Sequence, residues 1–440
     1  MRIASRFTAC LSCAVLIVFA IGTSVAQELD VISNDDFLAG SHPRTAAIAP
    51  RGHQNGQAHA RFGIFGIDSL ANFNGHYFVD GFDSNGNPNN HWYFNTVGNP
   101  PQLGGTTLIN APVVPVAVDL RDANGNPRFN GTNRLLSDPT PFVAPTINSP
   151  VFQNFSYMSS DVPTQFTDAV QRAEYFNRAK SDWHTLLVPS VKTMRTMAIN
   201  QDPNCGQMVG NPPKPGHCNY QFALNANGTC CRFILADIDV FANLLFPATD
   251  ADTTTPVGAA EHAGEMTTKD MSSFLFPNTF LYFGTRANCC VLGFHTFDVE
   301  PGDASNGNQF KLYVTDYSSW ISPGLFGNSF TDITALSHEI AEAYNDPFVA
   351  AIGTNNITPW WKAPNGLCQN NLETGDVIEG LAKATFPITM NGFTYHPQNE
   401  ALLQWFEFQQ PSDALGGAYS YPDTTVLTGP SAPQKANCAQ

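Results

Sequence analysis

One short segment combines residue types that can bind a metal ion and activate water. Residues 331–348 read TDITALSHEIAEAYNDPF, in which His338 and Glu342 are four positions apart. Side chains at this spacing lie on the same face of an α-helix, so the imidazole and the carboxylate can converge on one ion, as the two histidines of an HExxH helix do. Glu339 lies beside them, where a general base can accept a proton from water at the metal. The segment therefore predicts a divalent metal site with a catalytic carboxylate.

The alternative interpretation of this helix is a solvated acidic face with one incidental histidine. At about 100° per residue, the pattern predicts an apolar stripe on one side, formed by Ile333, Leu336, Ile340 and Tyr344. The polar side chains fall within an arc of roughly 100° on the opposite side and are His338, Glu339, Glu342 and Asp346. The helix contains no Lys or Arg that could neutralise these acids. A bound cation would do so, which favours the metal site.

The chain resembles a group of secreted bacterial and fungal proteins of largely unassigned function that have a zincin-like HExxE core. The resemblance is carried by SHEIAEAYNDP, the Trp-Trp pair after it, the CQN before LETGD and the upstream QFTDAVQRAEYFN, and it covers about residues 90–420. It implies a metallopeptidase-like fold. A weaker likeness, limited to HE-x-A-E and the following proline, is to the plant phosphate-induced extracellular proteins.

A third metal ligand is needed, and a gluzincin-type site takes it from a glutamate beyond the metal-binding helix. The next acidic cluster is LETGD, about 30 residues further on. Glu373 is therefore the predicted third ligand, with Asp376 as its support or substitute. His295, in the apparent strand CVLGFHTF, is the other candidate ligand, although a half-buried strand histidine is the favoured interpretation. The candidate oxyanion stabilisers are Tyr395 and His396, in FTYHP.

Two functions are consistent with these residues. The first is a secreted metal-dependent hydrolase, a zinc metallopeptidase acting on a peptide or protein, in which His338, Glu342 and Glu373 hold the ion and Glu339 activates water. Two carboxylate ligands cancel the charge of Zn²⁺ and loosen the selectivity towards Mn²⁺ or Ca²⁺. The second is a non-catalytic extracellular binding or matrix protein on a zincin-like scaffold with a structural metal.

The remaining sequence indicates where this chemistry takes place. Residues 1–26 are predicted to be a cleavable signal peptide, because Arg2 and Arg6 precede an apolar run and Ser24, Val25 and Ala26 provide small residues for cleavage. No later stretch reaches about 18 apolar residues, so no membrane span is predicted. The formal net charge of −16 argues against nucleic acid as a partner. The predicted location is secreted, periplasmic or extracellular, and the sequence leaves the oligomeric state open.

The cysteine count supports an oxidising compartment. Eight cysteines follow the signal peptide: Cys205, Cys218, Cys230, Cys231, Cys289, Cys290, Cys368 and Cys438. An even number in an exported chain predicts four disulfides. Spacing favours a Cys205–Cys218 bond, pairing of the doublet at 230–231 with the doublet at 289–290, and a Cys368–Cys438 bond. A zinc knot is disfavoured because no CxxC spacing is present.

Hydrophobic patterning predicts the elements that position these residues. Residues 27–61 are predicted to form an extended arm or a propeptide, residues 62–160 a β-rich region and residues 161–440 the zincin-like metal region. Strand-like runs occur at 62–67, 77–82, 92–97, 106–120, 232–246, 279–283, 290–297 and 310–317. Helices are predicted at 164–187 and 332–345, and Pro347 ends the second. The predicted fold class is α+β and zincin-like, with a mixed sheet leading into a central metal-binding helix.

Overall fold

The computed structural model describes residues 67–83, 86–130, 132–158, 162–210, 212–224, 232–284, 289–326, 330–349, 357–360, 363–368 and 370–431. The predicted signal peptide, the predicted arm, the doublet at 230–231 and Cys438 lie outside these residues.

The described chain contains short helices and many strands. The α-helices are α1 (Thr140–Ile147), α2 (Phe166–Glu174), α3 (Ile238–Leu245), α4 (Pro256–His262), α5 (Thr334–Asn345) and α6 (Leu403–Phe406). Short 3-10 helices are formed by Ala304–Asn306 and Leu415–Gly417. The strands before residue 225 are β1 (Ile67–Asp68), β2 (Asn72–Phe82), β3 (Pro88–Val97), β4 (Thr106–Arg121), β5 (Phe129–Asn130), β6 (Asn133–Arg134), β7 (His184–Val191), β8 (Arg195–Asn200), β9 (Met208–Val209), β10 (Lys214–Pro215) and β11 (Tyr220–Leu224). The later strands are β12 (Arg232–Asp237), β13 (Ser272–Pro277), β14 (Thr279–Tyr282), β15 (Cys289–Val291), β16 (Gly293–Glu300), β17 (Phe310–Trp320), β18 (Ile388–Met390), β19 (Phe393–Tyr395), β20 (Glu400–Ala401) and β21 (Ser420–Tyr421).

The main sheet is mostly parallel and curls into a half-barrel. Its strand order is β1-β17-β13-β4-β7, and these neighbours run parallel. The long strand β4 pairs first with β7 and then, beyond Pro115, with β8. Strand β16 is antiparallel to β17, with His295 opposite Asp316. The predicted α+β class with a mixed sheet is confirmed.

A second sheet continues from the first. It has the order β11-β12-β14-β15, and β13 and β14 are separated by a single residue, Asn278, at φ 43°. Asparagine tolerates this left-handed conformation better than most residues. Its side chain donates to Ser322 Oγ and accepts from the Ser322 N–H. The chain therefore passes from one sheet to the other at Asn278, whose amide nitrogen and oxygen are both hydrogen-bonded.

Helices cover both faces of the main sheet, and alternate residues of each strand pack into the two layers. Phe294 packs in the cluster that contains Phe241 of α3. Phe297 packs in the cluster that contains Leu336 and Ile340 of α5. Burial of both faces is the usual environment of parallel strands. It also places the odd-numbered side chains of β16 on the side of α5.

Helix α5 lies against the main sheet through the predicted apolar stripe. Ile333, Leu336, Ile340 and Tyr344 are buried in one cluster with strand residues of the sheet. The helix ends at Asn345, and Asp346 leaves it at φ −146°. The ring of Pro347 disfavours a helical conformation at the preceding residue. The predicted end of the helix is therefore confirmed together with its physical reason.

Two predicted elements are wrong in their second halves. The helix predicted over 164–187 ends at Glu174, and His184–Val191 forms strand β7 because this apolar stretch pairs with β4. The strand predicted over 232–246 ends at Asp237, whose carboxylate accepts from the N–H groups of Asp239 and Val240 and caps α3. Strands β8 and β13 were not predicted. The predicted strand at 62–67 lies almost entirely outside the described residues.

The disulfides correct one sequence prediction and agree with another. Cys205 and Cys218 are bonded, as predicted. Cys289 and Cys290 are bonded to each other across a cis peptide bond, so the predicted pairing with the doublet at 230–231 is wrong. Adjacent side chains of a regular strand point to opposite faces, so spacing alone does not predict a bond between neighbours. Cys368 is also disulfide-bonded, and its predicted partner lies outside the described residues.

Two further predictions concern the whole chain. In the described segments, every helix is too short or too polar for a bilayer span. Strand β4 of the predicted region 62–160 lies between β13 and β7 of the predicted region 161–440, so strands of both regions share one sheet.

Candidate metal centre

The polar arc of α5 is buried. The exposed fractions are 6% for His338, 3% for Glu339, and 0% for Glu342. Strand β16 and the loop at 372–379 lie next to this arc, through His295, Glu373 and Asp376. Buried ionisable groups are costly unless they are paired, hydrogen-bonded or bound to an ion. The solvated acidic face considered as the alternative interpretation is therefore wrong.

Two glycines allow the neighbouring elements to approach this close. A Cβ atom on Gly293 of β16 would lie 2.6 Å from Glu339 Oε1. A Cβ atom on Gly375 would lie 2.5 Å from His338 Nδ1. Both separations are shorter than any normal contact, so a larger residue would displace the side chains of α5. Glycine at these two positions is a requirement of the packing around the cluster.

Strand β16 brings a second imidazole into the cluster. His295 is on the same face as Gly293 and Phe297, which is the face covered by α5. Its side chain is fully buried, so the sequence interpretation as a half-buried strand histidine is wrong. The alternation of Gly293, His295 and Phe297 was the available signal. It could not show that α5 would cover this face.

Glu342 connects the helix, the strand and the loop. Its Oε1 accepts hydrogen bonds from the N–H groups of Gly375 and Asp376, both at 3.1 Å. Its Oε2 lies 3.1 Å from His338 Nε2 and 3.4 Å from His295 Nδ1. One oxygen therefore fixes the loop, and the other is directed between two imidazoles.

The loop places its two acids at different histidines. Asp376 Oδ1 lies 3.5 Å from His338 Nε2. Glu373 Oε2 lies 3.8 Å from His295 Nδ1. Glu373 was the predicted third ligand beside His338, and Asp376 was its predicted support or substitute. In the structure the acid that faces His338 is Asp376.

The separations of 3.1–3.5 Å around Glu342 and His338 fit ligands of a metal ion, and the 3.8 Å between Glu373 Oε2 and His295 Nδ1 is slightly longer. With bonds of about 2.0–2.2 Å, ligand atoms at octahedral or tetrahedral angles stand about 3.0–3.6 Å apart. Direct charge-assisted hydrogen bonds would be shorter, at about 2.7–2.9 Å. Several atoms of the cluster have no hydrogen-bond partner among the described residues: both ring nitrogens of His295, Glu339 Oε2, Glu342 Oε2 and both carboxylate oxygens of Glu373. The buried His and Glu groups could therefore hold a metal ion, and the sets within ligand range of each other are His295, Glu342 and Glu373, and His338, Glu339 and Glu342.

The electrostatics show how strongly these groups perturb each other. Burial lowers the pKa of His338, but the carboxylates of Glu342 and Glu339 overcome this and hold it well above its usual value. Burial raises the pKa of Glu342, yet the imidazoles of His338 and His295 lower it overall. Burial raises the pKa of Glu339 to about 7. Burial, reinforced by the charge of Glu342, also holds the pKa of Glu373 well above its usual value.

A small cavity reaches the cluster from one side. It offers about 20 Å³ to the centre of a water-sized molecule, which is room for about one water. Its lining residues with polar side-chain atoms are Thr334, His338, Glu339, Asp376, Glu379 and Gln398. His295, Glu342 and Glu373 are not among the described lining residues. His338 and Glu339 are therefore on the water side of the cluster.

Glu379 and Glu400 belong to this environment and were missed by the sequence analysis. Burial raises the pKa of Glu379 to about 8, and it lines the cavity. Burial also raises the pKa of Glu400, whose Oε2 accepts from Thr374 Oγ1 at 3.0 Å. Glu379 follows Asp376 by three residues in LETGDVIEG, which was the only sequence signal for it.

The other residues singled out in the sequence have their own partners. Tyr395 donates from its hydroxyl to the carbonyl of Pro145 at 2.9 Å. His396 Nδ1 lies 2.7 Å from Asp332 Oδ2. Neither is among the described residues that line the cavity, so the geometry gives no support to the predicted oxyanion role. Asp346 is buried at the end of α5, and its charge helps to raise the pKa of Glu373.

No protein-family model, curated protein or solved structure matches this chain.

Proposed function

We propose that this protein is a metal-dependent hydrolase, a zinc metallopeptidase of zincin-like type acting outside the cell. The observation that carries the proposal is the position of His338 and Glu339 where the cavity meets the buried cluster. A carboxylate that is to act as a base needs both the metal ligands and room for a water beside it. The cavity has room for about one water.

The ligands of this ion follow from the distances. His338 Nε2, Glu342 Oε2 and Asp376 Oδ1 would hold it, because the last two lie 3.1 Å and 3.5 Å from the imidazole nitrogen. Zn²⁺ is the proposed ion, since it accepts mixed nitrogen and oxygen ligands and leaves a position open in catalytic sites. The ion would polarise a substrate carbonyl and make a water more acidic.

Glu339 would act as the general base. Its Oε1 is 3.9 Å from His338 Nε2, further than the nearest oxygen of Glu342, which leaves it beside the ion position without being a ligand of first choice. Burial raises the pKa of Glu339 to about 7. A carboxylate beside the ion position can take a proton from a water there and return it to the leaving amine.

The shape of the site bears on a peptide substrate only where its cleaved bond would contact the ion. The cavity accepts little more than a water, so a chain would lie across its mouth and present one carbonyl to the ion. An extracellular location is supported by the Cys205–Cys218 and Cys289–Cys290 disulfides, which persist in oxidising compartments. The zincin-like relationship is supported by the HExxE motif on a helix that packs against a mixed sheet.

The decisive experiment exchanges Glu339 for glutamine. Glu339→Gln keeps the size of the side chain and removes the base, so turnover of a diverse peptide library should fall by roughly 10²-fold or more. Metal content and melting temperature should change little. Glu342→Gln should lose metal and stability together, because Glu342 contacts both imidazoles and the loop. The matched control is Glu300→Gln at the far end of β16, which should cleave like the wild type.

Equal cleavage by wild type and Glu339→Gln would disprove the assigned base. Absence of cleavage by metal-loaded wild type would disprove the hydrolase proposal. A second candidate function would then stand, a non-catalytic extracellular binding or matrix protein with a structural metal. The observation that favours it is the near-complete burial of the candidate ligands, since structural sites are closed while catalytic sites keep a position open.

A further inference from the structure

We infer that the cluster holds two divalent ions that share Glu342, the second one bound between His295 and Glu373. This inference rests on the proposed function, because the first ion is the one beside Glu339. The second ion lies on the side away from the cavity, among residues outside its lining. The ligand chemistry, imidazole nitrogen with carboxylate oxygen, suits Zn²⁺ or Mn²⁺.

The surroundings of His295 carry the inference. Its side chain is fully buried, and neither ring nitrogen has a hydrogen-bond partner among the described residues. Its Nδ1 faces carboxylate oxygens of Glu342 at 3.4 Å, Glu339 at 3.5 Å and Glu373 at 3.8 Å. A buried polar atom without a partner is rare and requires an explanation. The surrounding oxygens point to a cation as the missing partner.

A proton on His295 explains these contacts less well. An imidazolium beside carboxylates forms hydrogen bonds of about 2.7–2.9 Å. The shortest separation here is 3.4 Å, which matches neighbouring ligands of one ion with bonds of about 2.0–2.2 Å. The gap is therefore suited to an ion between the groups and too wide for a shared proton.

Two divalent ions would also match the charge of the cluster when all of its acids are ionised. Glu339, Glu342, Glu373 and Asp376 are acids, whereas the metal-binding imidazoles are neutral when they act as ligands. Among the described residues, no Lys or Arg forms an ion pair with any of the three glutamates. One divalent ion would balance half of the four carboxylates, and two would balance them all.

The geometry at Glu342 allows both ions. Its Oε2 is the atom near both imidazoles, at 3.1 Å from His338 Nε2 and 3.4 Å from His295 Nδ1. Two ions bound to one oxygen atom would lie about 3.5–4 Å apart, the usual spacing in two-metal hydrolytic sites. Because Oε1 already accepts two backbone N–H groups, Oε2 is the bridging atom.

Metal stoichiometry tests this inference. The secreted full chain is stripped with a chelator, reloaded with Zn²⁺ and analysed for metal after gel filtration. Wild type should hold about two ions per chain, and His295→Ala and Glu373→Gln about one each. The control His91→Ala, which removes an exposed histidine of β3, should hold as much as wild type. In Mn²⁺-loaded protein, the electron paramagnetic resonance spectrum of His295→Ala should be that of an isolated ion. The spectrum of wild type should be that of a coupled pair of ions.

The outcomes separate this inference from the proposed function. About one ion in wild type, or an unchanged metal content in both variants, overturns the second ion. If His295→Ala does not fold, Glu373→Gln, which keeps the size of its side chain, decides alone. Two ions per chain without cleavage of any peptide would support the two-ion site and disprove the hydrolase proposal. One ion with Glu339-dependent cleavage would do the reverse.

Discussion

At the scale of single residues, Glu342 determines the character of the cluster. In an HExxH helix its position is occupied by an imidazole. Here Oε1 of Glu342 accepts the N–H groups of Gly375 and Asp376 while Oε2 faces His338 and His295. A second imidazole, that of His295, approaches Glu342 from strand β16. A histidine at position 342 would lose the contact that holds the loop in place.

Glu174 provides a residue-scale prediction away from the cluster. Burial raises its pKa from 4.5 to about 8. The folded state therefore binds an extra proton between these values, and stability is lost as pH rises through this window. Glu174→Gln keeps an oxygen for the Leu403 N–H and the Asn345 amide. We expect the variant to exceed wild type at pH 8 by on the order of a few kcal/mol in the free energy of unfolding.

Urea denaturation of both proteins at pH 5 and pH 8 measures this effect. Near pH 5 the difference should almost disappear, because Glu174 is then protonated in the folded protein and partly protonated in the unfolded chain. A difference that is the same at both pH values would contradict the raised pKa.

At the level of secondary-structure elements, the candidate metal centre depends on how closely β16 and the loop at 372–379 approach α5. Gly293 and Gly375 set this distance, because a Cβ atom on either would overlap a side chain of the helix. The apolar face of α5 packs on the sheet through Leu336 and Ile340. The helix is therefore fixed on one side by apolar packing and on the other by the cluster.

Gly293→Ala tests this dependence. The added methyl group would lie 2.6 Å from Glu339 Oε1 and 2.7 Å from its Cγ, so Glu339 must move. We expect a loss of about 1–3 kcal/mol in the free energy of unfolding and a fall in turnover of up to roughly 10²-fold. The control is Gly429→Ala, where the new Cβ meets nothing within 4 Å. Equal stability and activity in the two variants would contradict the close approach.

At the scale of the whole molecule, the cluster lies in a sheet-based core, and disulfides secure a peripheral region. Strands from both predicted regions form one sheet, with α3 and α5 on its two faces. The described residues between Cys205 and Cys218 are mostly exposed, and their regular structure is limited to the two-residue strands β9 and β10. Such a segment contributes little apolar burial of its own. Its order depends on the bond that closes it.

Removal of this bond gives the prediction at that scale. Closing a loop of about this length contributes roughly 3 kcal/mol in the chain-entropy account, and the cysteines are 13 residues apart. The double exchange Cys205→Ser and Cys218→Ser should lower the free energy of unfolding by up to that amount. Metal content should stay unchanged, since the cluster is built from other segments. Chemical denaturation and metal analysis check both; loss of metal would show that this loop supports the centre.

The sequence determined the features that depend on neighbours along the chain. The i, i+4 spacing put His338 and Glu342 on one helical face, the apolar stripe put Leu336 and Ile340 on the sheet, and Pro347 ended the helix, because these effects act within a few residues. The spacing of Cys205 and Cys218 also predicted the disulfide between them. The helix predicted over 164–187 was too long. The pairing of β7 with the distant strand β4 outweighs the local helical pattern of these residues.

The residues that contact the polar face of α5 depend on long-range packing. The spacing could not place His295 beside Glu342, or show that Asp376 and not Glu373 faces His338. These contacts depend on the curvature of the sheet and on two close approaches at glycine, which join segments far apart in the chain. Burial depends on the tertiary structure too, because a polar helical face is removed from solvent only when other elements cover it.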